Sequence, residues 1–187
     1  MRLGAIVLVL GIAGSAAAQA PHLARLAGAA EAQVGVTTIY DPSYRSLRYP
    51  GGDLPKERGV CADVIVRAFR EIGVDLQVAL HEDMTRHFGE YPKMWGLRRP
   101  DPNIDHRRVP NLMRYFTRQG KNLPLEGRFA PGDVVAWRLP NGLYHIGIVS
   151  SRPRHGGPDY LVVHNIGAGA QNEDVLRAFR IIGHYRW

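Results

Sequence analysis

The sequence is poor in cysteine and contains no long apolar run. Its 187 residues include a single cysteine, Cys61, which excludes a disulfide-stapled scaffold. The most apolar stretch, Leu3 to Ala13, is about half of the roughly 20 residues that a membrane-spanning helix requires. No internal repeat and no basic run interleaved with aromatics is present, so the net charge of +7 gives little support to nucleic-acid binding. The hydrophobic fraction of 45% instead indicates one globular domain.

The first 18 residues have the features of a secretory signal peptide. A short basic start ending at Arg2 precedes the apolar core, and small residues follow that core. We predict cleavage after Ala18, with Ala20 as the alternative, because a cut after Ala20 would leave Pro21 directly behind it. The mature domain, residues 22–187, would then be periplasmic or secreted, with no stable membrane anchor. Loss of Arg2 leaves 23 basic against 17 acidic residues, a net charge of +6.

Helices precede strands along the chain, which predicts an α+β fold with N-terminal helices packed on a small antiparallel sheet. Residues 36–60 contain too many tyrosines, prolines and glycines for regular structure, and we interpret them as a functional loop. Residues 75–127 are interpreted as a helical insertion between the Cys61 helix and the sheet. Predicted helices cover residues 22–35, 61–73, 75–87 and 110–119, and predicted strands cover 133–139, 145–151, 159–165 and 180–187.

Cys61 occupies the first turn of a predicted helix. The unpaired N–H groups and the positive dipole end of a helix N-terminus stabilise a thiolate, and a thiolate is the nucleophilic form of cysteine. Export strengthens this reading, because cysteines in oxidising compartments usually pair and a lone one suggests a free thiol with a function. Cys61 is therefore the candidate nucleophile.

Two strand histidines are candidates for a base and its orienting partner. Pairing residues 145–151 with residues 159–165 as an antiparallel hairpin brings His145 opposite the end of the second strand. Side chains alternate between the faces of a strand, so only one of His164 and Asn165 shares the face of His145. We favour His164 as the third member and keep Asn165 as the alternative. This Cys-His-polar order is typical of papain-like hydrolases.

Nine short segments spread over residues 23–187 resemble the bacterial family known as domain of unknown function 1287. They are YDPSY, YPGGD, GVCADVI, HEDM, NIDHRRVPNL, PGDVVAW, HIGIVS, VVHNIG and GHYRW. That family resembles in turn the papain-like cysteine peptidase superfamily, whose bacterial NlpC-type and CHAP-type members cut peptidoglycan peptides or amide bonds. The counterparts of the NlpC-type motifs are Gly35, Tyr49 with Gly51 and Gly52, Cys61, Pro131 to Asp133, His145 with Gly147, and His164.

The resemblance implies a papain-like, NlpC-type fold and an exported cysteine amidohydrolase or peptidase that acts on peptidoglycan or another amide-bearing wall substrate. It implies Cys61 as nucleophile, His145 as base and His164 as the group that orients the base, with no cofactor and no metal. Where NlpC-type enzymes usually have Asp-Cys-Ser-Gly, this chain has Val-Cys-Ala-Asp. Further expected site residues are Tyr49 or Tyr44 for the oxyanion, and Arg107, Arg108 or Asp53 for charged groups of the substrate.

Two other functions fit parts of the sequence. A zinc-dependent hydrolase is a weaker hypothesis, because no H-E-x-x-H or similar helical pair is present; the potential zinc ligands are His81, Glu82, Asp83, Asp105 and His106. A non-catalytic wall-binding or scaffold domain is the other alternative, because a fold by itself does not fix a function.

Overall fold

The structure, a computed structural model, describes residues 14–187. The predicted signal peptide lies mostly outside the described residues, which begin at Gly14. The helices are α1 Gly14–Glu31, α2 Cys61–Glu71, α3 Leu76–His87 and α4 Val109–Arg118, with short 3-10 turns at Phe88–Glu90 and Asp105–Arg107. The strands are β1 Ile39–Tyr40, β2 Arg58–Gly59, β3 Val134–Arg138, β4 Tyr144–Pro153, β5 Tyr160–His164, β6 Gln171–Glu173 and β7 Arg180–Tyr185. None of the helices formed by these residues combines the length and apolarity needed to cross a bilayer.

Five strands form one antiparallel sheet in the order β6-β5-β4-β3-β7. The chain therefore has the predicted α+β class, with helices first and an antiparallel sheet second. In the central pair, Ala136 of β3 lies opposite Ile146 of β4, and Ile148 of β4 lies opposite Val163 of β5. This register decides which side chains of the hairpin share a face.

The two faces of the sheet carry separate apolar clusters. Ile146 and Ile148 pack in the larger cluster with α1 and α2, whose buried side chains include Val64, Ile65 and Phe69. The opposite face carries a smaller cluster made by Phe129, Val135, Trp137, Val149, Val162 and Leu176. Successive residues of β4 therefore point into different clusters, as the alternation of a strand requires.

A buried ion pair joins the start of α2 to the turn before α4. Arg107 donates to both carboxylate oxygens of Asp63, at 2.9 and 3.0 Å, and both side chains are almost fully buried. Arg107 also donates to the backbone carbonyls of Asp41 and Ser43, and Asp63 accepts the backbone N–H of Val60 at 2.7 Å. One guanidinium thus fixes the loop after β1 and the first turn of α2 together.

The segment predicted to lack regular structure contains a short parallel pair, which corrects that expectation. β1 pairs with β2, with Tyr40 opposite Gly59. The pair is held from outside the segment, because Arg67 on α2 donates to backbone carbonyls of this segment, including that of Arg58. The sequence also failed to predict β6, whose three polar residues Gln-Asn-Glu show no apolar alternation.

Replacing Asp63 by Ala is expected to destabilise the fold by about 3 to 5 kcal/mol, because it leaves Arg107 buried without a counter-ion. Urea unfolding followed by circular dichroism measures the change. The matched control is Asp174→Ala, which breaks the exposed pair with Arg154 and should cost less than about 1 kcal/mol. Equal stability losses in the two variants would show that the Asp63–Arg107 pair does not support the fold.

Candidate active site

Cys61 is the first residue of α2 and is buried. Backbone N–H groups of Cys61, Ala62 and Ile146 favour its thiolate, as expected at a helix N-terminus. Burial has the larger, opposite effect and raises the pKa of the Cys61 thiol to about 12. The resting residue is therefore a neutral thiol held among groups that stabilise negative charge.

The thiol lies on a groove of about 410 Å³ between the start of α2 and the β3–β4 hairpin. Its wall includes Tyr40, Cys61, Trp95, Arg107, Arg138 and Tyr144. Arg107 donates hydrogen bonds to Asp63 and to two backbone carbonyls, so its guanidinium supports the groove wall from the protein side. Arg138 and Tyr144 are opposite each other in the β3–β4 register and lie two pairs beyond Ala136 and Ile146.

The two strand histidines meet in the structure. His145 Nε2 lies 2.8 Å from His164 Nδ1, and the ring of Trp137 stacks on His145 with centroids 5.5 Å apart. His164 Nε2 lies 2.9 Å from Glu173 Oε2. His164, and not Asn165, is therefore the hydrogen-bond partner of His145.

This chain of contacts assigns the tautomers. His164 Nε2 lies close to the carboxylate of Glu173 without a well-directed hydrogen bond, and because a carboxylate only accepts, this neighbour favours the proton of His164 on Nε2. His164 Nδ1 is then an acceptor, and His145 must donate to it from Nε2. The assignment leaves His145 Nδ1 with a free lone pair, which is the position that a base requires.

Burial favours the neutral form of both rings in the folded chain. Burial lowers the pKa of His145 to about 3, and the positive charge that His164 would carry adds to the shift. Burial also lowers the pKa of His164, although the carboxylate of Glu173 opposes that effect. The groove thus holds the thiol in its neutral form, and burial favours the neutral form of the His145 imidazole on the other side of β4.

The Cys61 thiol contacts β4, the strand that carries His145, but the thiol and the imidazole do not contact each other. The backbone N–H of Ile146, which favours the Cys61 thiolate, directly follows His145. The Ile146 side chain packs in the cluster of Cys61, whereas His145 stacks on Trp137 of the other cluster. Among the described residues no hydrogen bond joins Cys61 and His145, so β4 separates them.

Asn165 and Tyr40 position the segment that precedes the thiol. Asn165 donates to the carbonyl of Gly59 at 3.0 Å, two residues before Cys61. Tyr40 lines the groove, and burial together with the nearby Cys61 and Asp63 raises the pKa of its hydroxyl. Tyr40 is therefore the tyrosine near the thiol. From the sequence we expected Tyr44 or Tyr49 at this position.

Neither of those two tyrosines lines the groove. The hydroxyl of Tyr44 donates to Asp101 at 3.1 Å, and the ring of Tyr49 packs edge-on against His81 with centroids 5.2 Å apart. Asp53 is also elsewhere, paired with Arg67 at 2.9 Å.

Of the two expected arginines, Arg107 lines the groove and Arg108 does not. Arg108 pairs with Asp105 and lies over the ring of Trp95, which forms part of the groove wall.

The residues considered for zinc are not gathered into one ligand set in the part of the chain that the structure describes. Asp83 binds Arg118 and the hydroxyl of Tyr91, and burial lowers the pKa of His106 to about 4. Within residues 21–187 no group of three or more His, Cys, Asp or Glu side chains is arranged to hold a metal ion.

Four residues of the site were missed from the sequence: Tyr40, Arg138, Tyr144 and Glu173. Arg138 and Tyr144 flank the predicted turn between two predicted strands, so the register of that hairpin would have placed them together. Tyr40 and Glu173 carried no such local signal, because both sit on two- or three-residue strands.

The comparison with protein families matches residues 27–187 to the family described as Domain of unknown function (DUF1287). The chain is similar to "Uncharacterized protein YijF" of Escherichia coli (strain K12), with 56% identity over 166 residues. That alignment covers 87% of this chain and 80% of the relative. No solved structure matches the chain.

Alkylation of Cys61 is expected to be slow in the folded protein. At pH 8 the folded thiol, with a pKa of about 12, should react with iodoacetamide at least about 100-fold more slowly than the same thiol in urea. Mass spectrometry of timed samples measures both rates. Rapid alkylation of the folded protein near pH 6 would instead show a thiolate–imidazolium pair and contradict the prediction.

The buried histidines should make the fold less stable in acid. The unfolded chain binds protons at histidine near pH 6.5, whereas folded His145 binds one only near pH 3, so stability rises with pH between these values. His145→Gln keeps a donor to His164 and should reduce that slope by up to about 1.4 kcal/mol per pH unit. Urea unfolding at pH 4 to 7 tests this, with the exposed loop histidine variant His155→Gln as control. An unchanged slope in His145→Gln would refute the burial effect.

Proposed function

This chain belongs to the domain of unknown function 1287 family, and we propose that it is an exported cysteine amidohydrolase or peptidase acting on peptidoglycan peptides. The observation that carries the proposal is the His145–His164–Glu173 chain of contacts, which orients an imidazole on β4, the strand whose Ile146 N–H lies at the Cys61 thiol. Cys61 is the proposed nucleophile and His145 the proposed base. Such groups occur together where acyl transfer is catalysed.

The arrangement of elements supports a papain-like fold at the level of architecture. The helix that carries Cys61 at its first residue packs on an antiparallel sheet, and one central strand of that sheet carries His145. The next strand supplies the group that orients the histidine. The same division of roles among a helix start and two strands defines the NlpC-type motifs that the sequence resembles.

In the proposed reaction, the thiol proton of Cys61 passes to His145 Nδ1 as sulfur attacks the carbonyl carbon of the scissile amide. The carbonyl electrons move to oxygen, where the N–H groups of Cys61 and Ile146 and the hydroxyl of Tyr40 are the nearest available donors. Collapse of this intermediate breaks the C–N bond, and the imidazolium returns its proton to the leaving amine. Water, deprotonated by His145, then hydrolyses the thioester and restores the thiol.

The electrostatics of the site suit a proton transfer that occurs with substrate bound. Burial destabilises charged groups, and a neutral thiol and a neutral imidazole carry no charge. Burying them therefore lowers the stability of the resting fold only slightly. The first step requires Cys61 Sγ and His145 Nδ1 to come within hydrogen-bond distance. β4 separates the two side chains in the resting chain, so their approach is a rearrangement at the start of β4 and not the tightening of an existing contact. His164 and Glu173 then stabilise the imidazolium as it forms.

The substrate class is proposed from the groove and from the predicted export. Trp95, Tyr144 and Tyr40 give the groove aromatic walls, and Arg138 gives it a positive group. A mature chain of net charge +6 favours an anionic polymer as the target. In an exported protein the amide-bearing anionic polymer is the cell wall, so the proposed location is the periplasm or the cell exterior.

A non-catalytic wall-binding domain is the second candidate function. It is favoured by the burial of Cys61 and by the lack of a Cys61–His145 hydrogen bond among the described residues, which together describe an inert thiol. In this alternative the groove binds wall peptides without cutting them. Turnover and binding measured on the same protein separate the two functions.

The purified mature protein should release new peptide products from muropeptides, detected by mass spectrometry. Cys61→Ala should abolish product, and His145→Gln should lower turnover by about 100-fold or more, because each removes a group that forms or breaks bonds. His155→Gln, a substitution of the same type in an exposed loop, should keep full activity. Activity that survives Cys61→Ala, or its absence from the unaltered protein on a broad panel, would refute the hydrolase.

A further inference from the structure

Arg138 is an arginine without a counter-ion on the wall of the Cys61 groove. Its Nη1 atom is buried and has no hydrogen-bond partner. No acidic side chain of the described residues forms an ion pair with it, and its guanidinium lies 4.1 Å over the ring of Tyr144. A buried guanidinium N–H without a partner is costly, so such a group in a groove points to a ligand that supplies the acceptor.

The other arginine of the groove does not have this capacity. Arg107 donates to Asp63 and to the carbonyls of Asp41 and Ser43, which uses its Nε, Nη1 and Nη2. Arg108, behind Trp95, is paired with Asp105. Of these three arginines, Arg138 alone combines a place on the groove wall with a buried guanidinium nitrogen that has no partner.

The sheet fixes the distance between this arginine and the thiol. Ala136 of β3 pairs with Ile146 of β4, and the backbone N–H of Ile146 contacts Cys61. Arg138 lies two residues after Ala136, on the same face of β3. Two residues of a strand span about 7 Å. A group bound by Arg138 therefore lies one to two residues of peptide from a carbonyl held at Cys61.

We propose that Arg138 is a specificity residue that binds a carboxylate of the peptide substrate, next to the amide that Cys61 attacks. The guanidinium fork matches a carboxylate in a bidentate geometry, and the ring of Tyr144 holds the fork in plane. The site selects peptides with a free carboxylate over the same peptides with a carboxamide. This inference rests on the proposed function for the identity of the substrate, but not for the existence of the carboxylate site.

The test measures binding separately from cleavage. Cys61→Ala protein, which cannot form the thioester, is titrated by calorimetry with peptidoglycan stem tripeptide and with the same tripeptide after amidation of its carboxylates. The free tripeptide is expected to bind about 10-fold or more tightly than the amidated one. Adding Arg138→Gln should remove this preference, and Arg138→Lys should restore only part of it, because a lysine keeps the charge but not the fork.

Arg152→Gln in the same Cys61→Ala background is the matched control, since it removes one positive charge from an exposed position outside the groove. It should keep the preference, and circular dichroism with urea unfolding checks that every variant is folded. Equal binding of the two tripeptides, or loss of the preference in the Arg152→Gln control, would overturn the proposal. Preference without any turnover by the unaltered protein would support the carboxylate site and refute the hydrolase.

Discussion

The buried pair of Arg107 and Asp63 is the constraint on which the site depends. The pair fixes the first turn of α2, and Arg107 also fixes the loop that follows Tyr40 through two backbone carbonyls. Asp63 holds Val60, the residue before the thiol. Burying two charges is expensive unless both are well paired, and here every charged atom has a partner. The geometry around Cys61 is therefore set by a charge pair that takes no part in the chemistry.

The thiol and the imidazole chain are each prepared for a change of charge, and neither is charged at rest. Burial raises the pKa of Cys61 and lowers that of His145, which stabilises the neutral forms. Backbone N–H groups at the start of α2 lie at the Cys61 sulfur, and His164 with Glu173 lies behind the His145 ring. Groups placed where charge develops do more for a transition state than for a ground state. In the proposed carboxylate site, Arg138 is likewise placed where the substrate carries charge.

Local patterns predicted the elements that carry the chemistry, and they failed where distant residues decide the structure. The helix that begins at Cys61 and the pairing of His145 with His164 follow from apolar periodicity and strand alternation, which are local rules. The β1–β2 pair was missed because side chains outside it hold its backbone: Arg67 of α2 binds the carbonyl of Arg58, and Arg107, more than 60 residues away, binds the loop that follows β1. The position of Tyr40 near the thiol was missed because the loop that follows it is held by Arg107, which is distant in the sequence.

Neighbours along the chain were enough to predict the α+β order, the helix that begins at the lone cysteine, and a hairpin that brings His145 to either His164 or Asn165. The choice of His164 and the surroundings of these residues follow from tertiary contacts. The tertiary structure placed His145 and Cys61 on opposite sides of β4, committed Arg107 to Asp63, and left Arg138 without a counter-ion. Those outcomes depend on burial and on contacts between residues far apart in the chain, which no local pattern records.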